Sequence, residues 1–283
     1  MTLPTRRWRL DLAYDGAGLR GFAHQAGKVT VVGLLRATLA RTLRLASEPD
    51  IVGAGRTDAG VHAFAQVVHV DLPEPLFATK RGPEADRLMR SINQQLRGQV
   101  RVLDARIVSD EFHARFCATW REYRYLVLAS EPPALAQTTT FSWSVRGPLD
   151  LDVMNRAAAA LVGTHDFRAF CRRPAKTLAS DPLVREVLVA HWDQLSDEWS
   201  LNPTGLPALR LRIRAASFCH HMVRSLTSTM VAMGRGDLAP TTIEERLQSR
   251  QRAGLPPPAP AAGLCLVGVG YEQFAGGPSG FVR

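Results

Sequence analysis

Residues 53–70, GAGRTDAGVHAFAQVVHV, constrain the fold more than any other stretch, because a loop punctuated by glycines runs directly into an alternating apolar segment. Gly53, Gly55 and Gly60 permit positive φ or close approach of the backbone to a ligand, so the residues between them sit on a short, shaped loop. Arg56, Asp58 and His62 are the side chains such a loop presents. From Gln66 onward, Val67, His69 and Asp71 alternate with Val68, Val70 and Leu72, the period-two pattern of a half-buried strand. A carboxylate at the mouth of a rigid strand is a site pattern, although Asp-Ala-Gly is also an ordinary turn sequence.

The flanking segments read as an α+β chain. Residues 7–14 alternate charged and apolar side chains and predict a strand with one wet face. Thr30 is an N-cap for a helix over 31–45, with Val32, Leu35, Leu39 and Leu43 on one stripe. A short strand at 51–52 leads into the key loop, 73–83 is a connection, 84–96 reads as a helix and 100–108 as a strand. The first half is therefore β-α-β-β-α-β. After a turn at Ser109-Asp110, the second half offers a strand ending near 128, a weakly patterned connection through 131–143 and a helix over 150–162. Strands at 184–192 and 209–215 follow, then a helix capped by Ser217 and ended by Gly234 and Gly236, a helix over 242–251 and a last strand from Leu264. In the strand LRLRIRA, Arg210, Arg212 and Arg214 share one face, where they repel one another unless anions or acids lie near.

Charge narrows the function classes. The chain carries a formal net charge of +9 and a pI near 10.1, dominated by arginine, with lysine only at Lys28, Lys80 and Lys176. Such a surface suits a polyanion, and nucleic acid is the first expectation. No apolar run reaches the ~18 residues of a membrane span, and the N-terminus lacks the apolar block of a secretory signal, so a cytoplasmic location is expected. Cys117, Cys171, Cys219 and Cys265 are far apart, without a C-x-x-C pair, and are expected as reduced structural thiols. His220 and His221 invite a metal reading, but neighbouring positions on a helix do not face one another and no ligand set accompanies them, so no metal is implied.

The string GRTDAGVHAFAQVVHV closely resembles the signature of the tRNA pseudouridine synthase A family, G-R-T-D-x-G-V-H. Four further segments resemble that family in the right order: FHARFCA followed by Tyr123-Arg124-Tyr125, GTHDF, FCHHMVRS and residues 259–269. Tyr14-Asp15-Gly16 also matches, but Phe22 and Ala23 stand where Trp and Gln are usual, Ser225 replaces an Asn, and Cys265 replaces a Tyr. The resemblance implies an α+β pseudouridine synthase fold: two pseudo-repeated halves, 1–108 and 109–283, sharing an extended, largely antiparallel sheet with a central active-site cleft. It implies that Asp58 is the catalytic carboxylate, with Arg56 and His62 as loop partners. Tyr123 would stack on the target base, Arg224 would pair with the aspartate, and Leu264 or Leu266 would close the base pocket. It further implies a homodimer whose basic surface takes the anticodon stem-loop of tRNA, modified at positions 38–40.

The chemistry agrees with that set. Making pseudouridine breaks the N1–C1′ bond, turns the uracil and forms a C5–C1′ bond, with no redox change, so no cofactor is expected. It needs an anionic group able to attack C1′ or C6, or to take the C2′ proton, and the residues leave those routes open. A catalytically impaired tRNA-binding module of the same fold is the alternative that the departures at Phe22, Ala23, Ser225 and Cys265 allow. A carboxylate glycosidase needs a second catalytic carboxylate, and two-metal cleavage needs a cluster; the motifs supply neither.

Overall fold

The computed structural model describes residues 4–77, 84–129, 138–173, 178, 181–195 and 208–272; Lys80, Lys176 and residues 131–137 lie outside this set. The fold is α+β with largely antiparallel pairing. Two compact units are present, one running to Thr119 and resuming at Leu266, the other Trp120–Cys265. Among the described residues no helix is long and apolar enough to cross a membrane.

In the first unit β1 (Thr5–Tyr14) pairs antiparallel with both β3 (His62–Pro73) and β4 (Val100–Ile107), and the short β2 (Ile51–Gly53) adds to β3. Alternation sends Leu10, Leu12, Val68 and Val70 to one side, where they are fully buried together with Leu35 and Leu39 of α1 (Val31–Leu43) and Leu88 and Ile92 of α2 (Glu84–Gln95). Thr30 caps α1 as its sequence position predicts, accepting from the Gly33 amide at 3.1 Å. Asn93 fastens α2 to β4: its side chain donates to the Val102 carbonyl and accepts from the Val102 amide, at 2.9 and 2.7 Å.

The face of β1 expected to be wet is covered. Arg9 and Asp11 are each only 7% exposed and form a bidentate ion pair at 2.6 and 3.0 Å. The Arg9 guanidinium lies 4.8 Å from the centre of the Tyr271 ring and 5.8 Å from that of Phe112, so two distant segments roof this face. The half-buried reading of β3 fails for the same reason: Val67 and His69, opposite Asp11 and Arg9, are also buried. Beneath the roof, His69 Nδ1 accepts from the Ala114 amide at 3.0 Å.

Burial, with Arg7 and His113 nearby and Asp71 opposing, lowers the His69 pKa from its ordinary value of 6.5 to about 4. The unfolded chain therefore binds a proton between pH 6.5 and 4 that the folded chain refuses. Stability is full above pH 6.5 and falls as the pH drops towards 4, by about 1.4 kcal/mol per pH unit and ~3 kcal/mol in all for this group. Urea unfolding at pH 6.5, 5.5 and 4.5 should show this slope in the parent and a slope smaller by nearly one proton in His69→Asn; equal slopes would refute the assignment.

In the second unit the order is β5 (Trp120–Ala129), β9 (Ala208–Ala215), β8 (Val184–Leu195), β7 (Gly163–Asp166), all antiparallel to their neighbours, with β6 (Trp143–Val145) parallel to β5. Strands β6 and β7 were not expected, since three or four residues carry no readable period. Helices α3 (Leu151–Ala159), α4 (Met222–Gly234) and α5 (Thr242–Ser249) follow the predicted order. Asn155 of α3 brackets the Trp192 backbone as Asn93 brackets Val102. Helix α4 is buried almost all round, and its Thr227, Ser228 and Thr229 hydroxyls donate to carbonyls three or four residues back. It begins at Met222 and not at Ser217, because His221 adopts a left-handed conformation, φ 65°, that a helix cannot contain.

The arginine ladder has its acids. Glu122 of β5, 4% exposed, receives Arg212 at 3.0 and 3.1 Å and Arg214 at 2.7 and 2.9 Å, while Asp193 of β8 pairs with Arg210. Burial pushes the Glu122 carboxyl up, but the hydrogen bonds from Arg212 and Arg214 outweigh it and hold its pKa below the usual carboxylate value. Arg214 also lies 4.1 Å above the Trp120 ring.

The expectation of four reduced thiols is corrected. Cys171 and Cys219 form a disulfide, with Cα atoms 5.8 Å apart. Forty-eight residues separate them in sequence, but the Arg172 amide donates to the His220 carbonyl at 2.8 Å and zips the two segments together.

Candidate active site

Asp58 sits on the loop between β2 and β3, and every part of that loop is tied to the first unit. The Ala54 amide reaches the Val67 carbonyl at 2.8 Å, and Gln66, fully buried, donates to the Gly55 carbonyl at 2.9 Å. The Thr57 hydroxyl bonds the Tyr14 hydroxyl at 2.8 Å, and the Thr57 carbonyl accepts from the Phe22 amide at 3.1 Å. Gly60, at φ 81°, donates to the Leu19 carbonyl, and the Val61 amide turns back to the Asp58 carbonyl at 3.2 Å. Two glycines are required by contact: a Cβ on Gly53 would meet the Phe22 ring at 2.3 Å, and one on Gly16 would meet the Val61 carbonyl oxygen at 2.2 Å. Phe22, where the family carries Trp, thus packs its ring against the start of the loop.

The three predicted loop residues differ in environment. Asp58 is partly buried and Arg56 is exposed. His62 is turned to the Asp15-Gly16 turn, its Nδ1 lying 3.0 Å from Asp15 Oδ1 and 3.2 Å from the Gly16 amide; it donates to the first or accepts from the second according to tautomer. The loop is the mouth of β3, as its sequence implied. Tyr14, Thr57 and Gln66, which hold it, were not identified as site residues. The available signal was Gln66, an amide between apolar neighbours in β3, whose burial requires a partner.

The remaining candidates belong to the second unit. Tyr123 is buried on β5, opposite Ile213 of β9, with the Phe218 ring edge-on at 5.1 Å. Arg224, on the first turn of α4, donates from Nε to the Ala259 carbonyl at 2.7 Å, and its own carbonyl accepts from the Ala259 amide at 3.0 Å. Leu264 is buried at the start of β10 (Leu264–Gly270), directly after a 3-10 turn, Ala261–Gly263. Gly263 of that turn is needed: its Cβ would meet the Tyr125 ring at 2.6 Å. Tyr125 is core, as its position predicts, with its hydroxyl on the Pro260 carbonyl at 2.7 Å; burial raises its pKa, against a smaller opposing effect from Arg224. Ser225, where Asn is usual, is buried and its hydroxyl accepts from Arg252 at 3.4 Å. His220 and His221 precede α4 and are not on it, so the helical reason against their facing one another does not hold: their ring centres are 4.1 Å apart.

These residues put a held carboxylate in one unit and an aromatic ring, a guanidinium and an apolar side chain in the other, the chemical types that uridine isomerisation uses. Comparison with known proteins identifies the family. The profile of a family described as tRNA pseudouridine synthase matches residues 157–272. The chain is 40% identical over 272 residues to tRNA pseudouridine synthase A of Caulobacter sp. (strain K31), covering 94% of this chain and 98% of that one. It is 38% identical over 267 residues to tRNA pseudouridine synthase A of Cutibacterium acnes, covering 94% and 89%, and 37% identical over 265 residues to that of Moorella thermoacetica, covering 93% and 98%. Identity at this level, over nearly the whole of both chains, places the protein among the isomerases of the tRNA pseudouridine synthase A family.

Proposed function

We propose that this enzyme converts uridine to pseudouridine at positions 38–40 of the tRNA anticodon stem-loop, with Asp58 as the reacting carboxylate. The observation that carries the proposal is the immobilised loop: Asp58 lies between Thr57, tied to Tyr14 and Phe22, and Gly60, tied to Leu19. A loop backbone held this way leaves only the Asp58 side-chain torsions to be ordered on reaching a near-attack position, the condition under which positioning supplies much of a rate enhancement. Asp58 attacks C1′ or C6 or removes the C2′ proton. Arg56 and His62 shape the loop, Tyr123 offers a flat face to the uracil, Leu264 contributes apolar cover, and Arg224 is the cation of the set. The detached base must stay in a water-poor pocket while it turns, which buried aromatic and aliphatic side chains provide.

The target base leaves its stack at a cost of a few kcal/mol, and phosphate contacts by an arginine-rich surface offset that cost. The net charge of +9 supports tRNA as the partner and, with the family resemblance, a cytoplasmic homodimer. Two of the four departures on which the impaired-binder reading rests are accommodated by the fold: Phe22 packs on Gly53 and Ser225 accepts from Arg252.

Mapping pseudouridine at base resolution in tRNA incubated with and without the enzyme tests the assignment directly. New pseudouridine confined to 38–40 is expected; modification elsewhere, or none, sinks it. Binding supplies a second measurement. The logarithm of tRNA affinity should fall linearly with the logarithm of salt concentration, losing roughly 10³-fold or more between 50 and 200 mM if six or more phosphates are contacted.

A further inference from the structure

The turn after β4 carries a feature that the proposed chemistry does not use. Phe116 is 76% exposed, where among the described residues most other large aromatics are buried and only Phe64, at 60%, is comparably open. An exposed ring of that size forgoes about 2 kcal/mol of burial, so it does not serve the fold. It is nonetheless held. Its ring stacks on His113 with centres 4.4 Å apart and planes inclined by 28°. The imidazole is itself pinned, because His113 Nδ1 accepts from the amides of Arg115 and Phe116 at 3.3 and 3.2 Å, and the Cys117 amide closes the turn on the His113 carbonyl at 2.9 Å. Behind His113 lies the ring of buried His69, edge-on at 4.8 Å. The Arg115 guanidinium carbon is 5.6 Å from the Phe116 ring centre.

We propose that Phe116, backed by His113 and flanked by Arg115, is a stacking platform for an unstacked base of the tRNA, separate from the pocket that holds the target uridine. The proposal rests on the RNA substrate assigned above. His113 stacks on one ring face, and the ring as a whole stays 76% exposed, so a base can add to the stack beside the Arg115 guanidinium, and the ring's fixed orientation removes most of the entropy cost of ordering it. Every base has a π face, so the contact is tolerant of sequence, and a neighbouring arginine adds attraction for the phosphate attached to the stacked base. A greasy partner surface would need an apolar surround; here the neighbours Glu111, Arg115 and Thr119 are exposed and polar.

The experiment compares Phe116→Ala, Phe116→Leu and Phe116→Trp with the parent. It reads the dissociation constant for an unmodified tRNA transcript, the single-turnover rate at saturating tRNA, the melting temperature and the mass in solution. Stacking worth ~1–3 kcal/mol per base predicts roughly 5- to 150-fold weaker binding for the alanine and leucine variants, with the salt slope unchanged because no ion is lost. The tryptophan variant should bind as the parent does, and the saturated rate and melting temperature should hold in all three. Leucine binding as well as phenylalanine, or a change of oligomeric state without a change of RNA affinity, would overturn the platform and mark a protein contact instead. Parent enzyme that forms pseudouridine while the alanine variant binds normally defeats this inference alone. Ring-dependent RNA binding by a parent that forms none defeats the proposed function alone.

Discussion

Replacing Asp58 by alanine or asparagine is expected to abolish pseudouridine formation, with single-turnover rates down by roughly a thousandfold or more, about 4 kcal/mol of barrier. The protein should still fold and bind tRNA. The loop is held through the backbone of Ala54, Gly55, Thr57 and Gly60 and through the Thr57 hydroxyl, none of which the substitution removes, so the cost to stability should stay near 1 kcal/mol. A carboxylate needed only as a reacting group adds nothing attractive towards phosphate, and tRNA affinity should remain within severalfold of the parent. Melting temperature, tRNA affinity and single-turnover rate on one Asp58→Ala preparation decide the matter. Activity within about tenfold of the parent, a barrier change of only ~1.4 kcal/mol, would defeat the catalytic role.

The largest expected effect on stability lies in the second unit, at Glu122. Its carboxylate is the shared counter-ion of Arg212 and Arg214 and lies 3.8 Å from Arg124 Nε, a nitrogen buried without a hydrogen bond. Glu122→Gln removes the charge and leaves Arg124, Arg210, Arg212 and Arg214 facing one another across β5 and β9, with Asp193 beside Arg210. Breaking a buried pair from one side costs about 3–5 kcal/mol, but Arg212 and Arg214 keep part of their hydration, which reduces the expected loss to about 2–3 kcal/mol. That corresponds to a melting temperature lower by roughly 5–10 °C. Adding Arg212→Gln should return part of the loss, the coupling expected of contacting residues. A single variant melting within 2 °C of the parent would show that solvent, and not Glu122, balances the ladder.

These two residues illustrate the limits of a linear reading. The loop that bears Asp58 was legible because its signals are local: glycines that set the loop, alternation that sets the strand, and a long ungapped family motif all lie within twenty residues. Thr30 was legible for the same reason, since a cap bonds an amide three residues away. Glu122 was not, although the repulsion among Arg210, Arg212 and Arg214 announced that some acid was needed. Its identity depends on the register that sets Glu122 against Arg214 and Asp193 against Arg210, and register between strands separated by up to ninety residues leaves no local trace.

The amino-acid sequence by itself determined the α+β element order, the helical stripes, the core role of Tyr125 and the loop that bears Asp58, because backbone preference and side-chain periodicity act over a few residues. Tertiary structure alone decided which faces stay dry. The side of β1 bearing Arg9 and Asp11 reads as wet until Phe112 and Tyr271, from remote segments, are folded over it. The same holds for the depressed pKa of His69 beneath that roof, for the junction of Cys171 with Cys219, and for the contact of Phe22 with Gly53. Each depends on which distant residues meet, and that is set by how whole sheets and their covers pack, where burial and register outweigh local propensity.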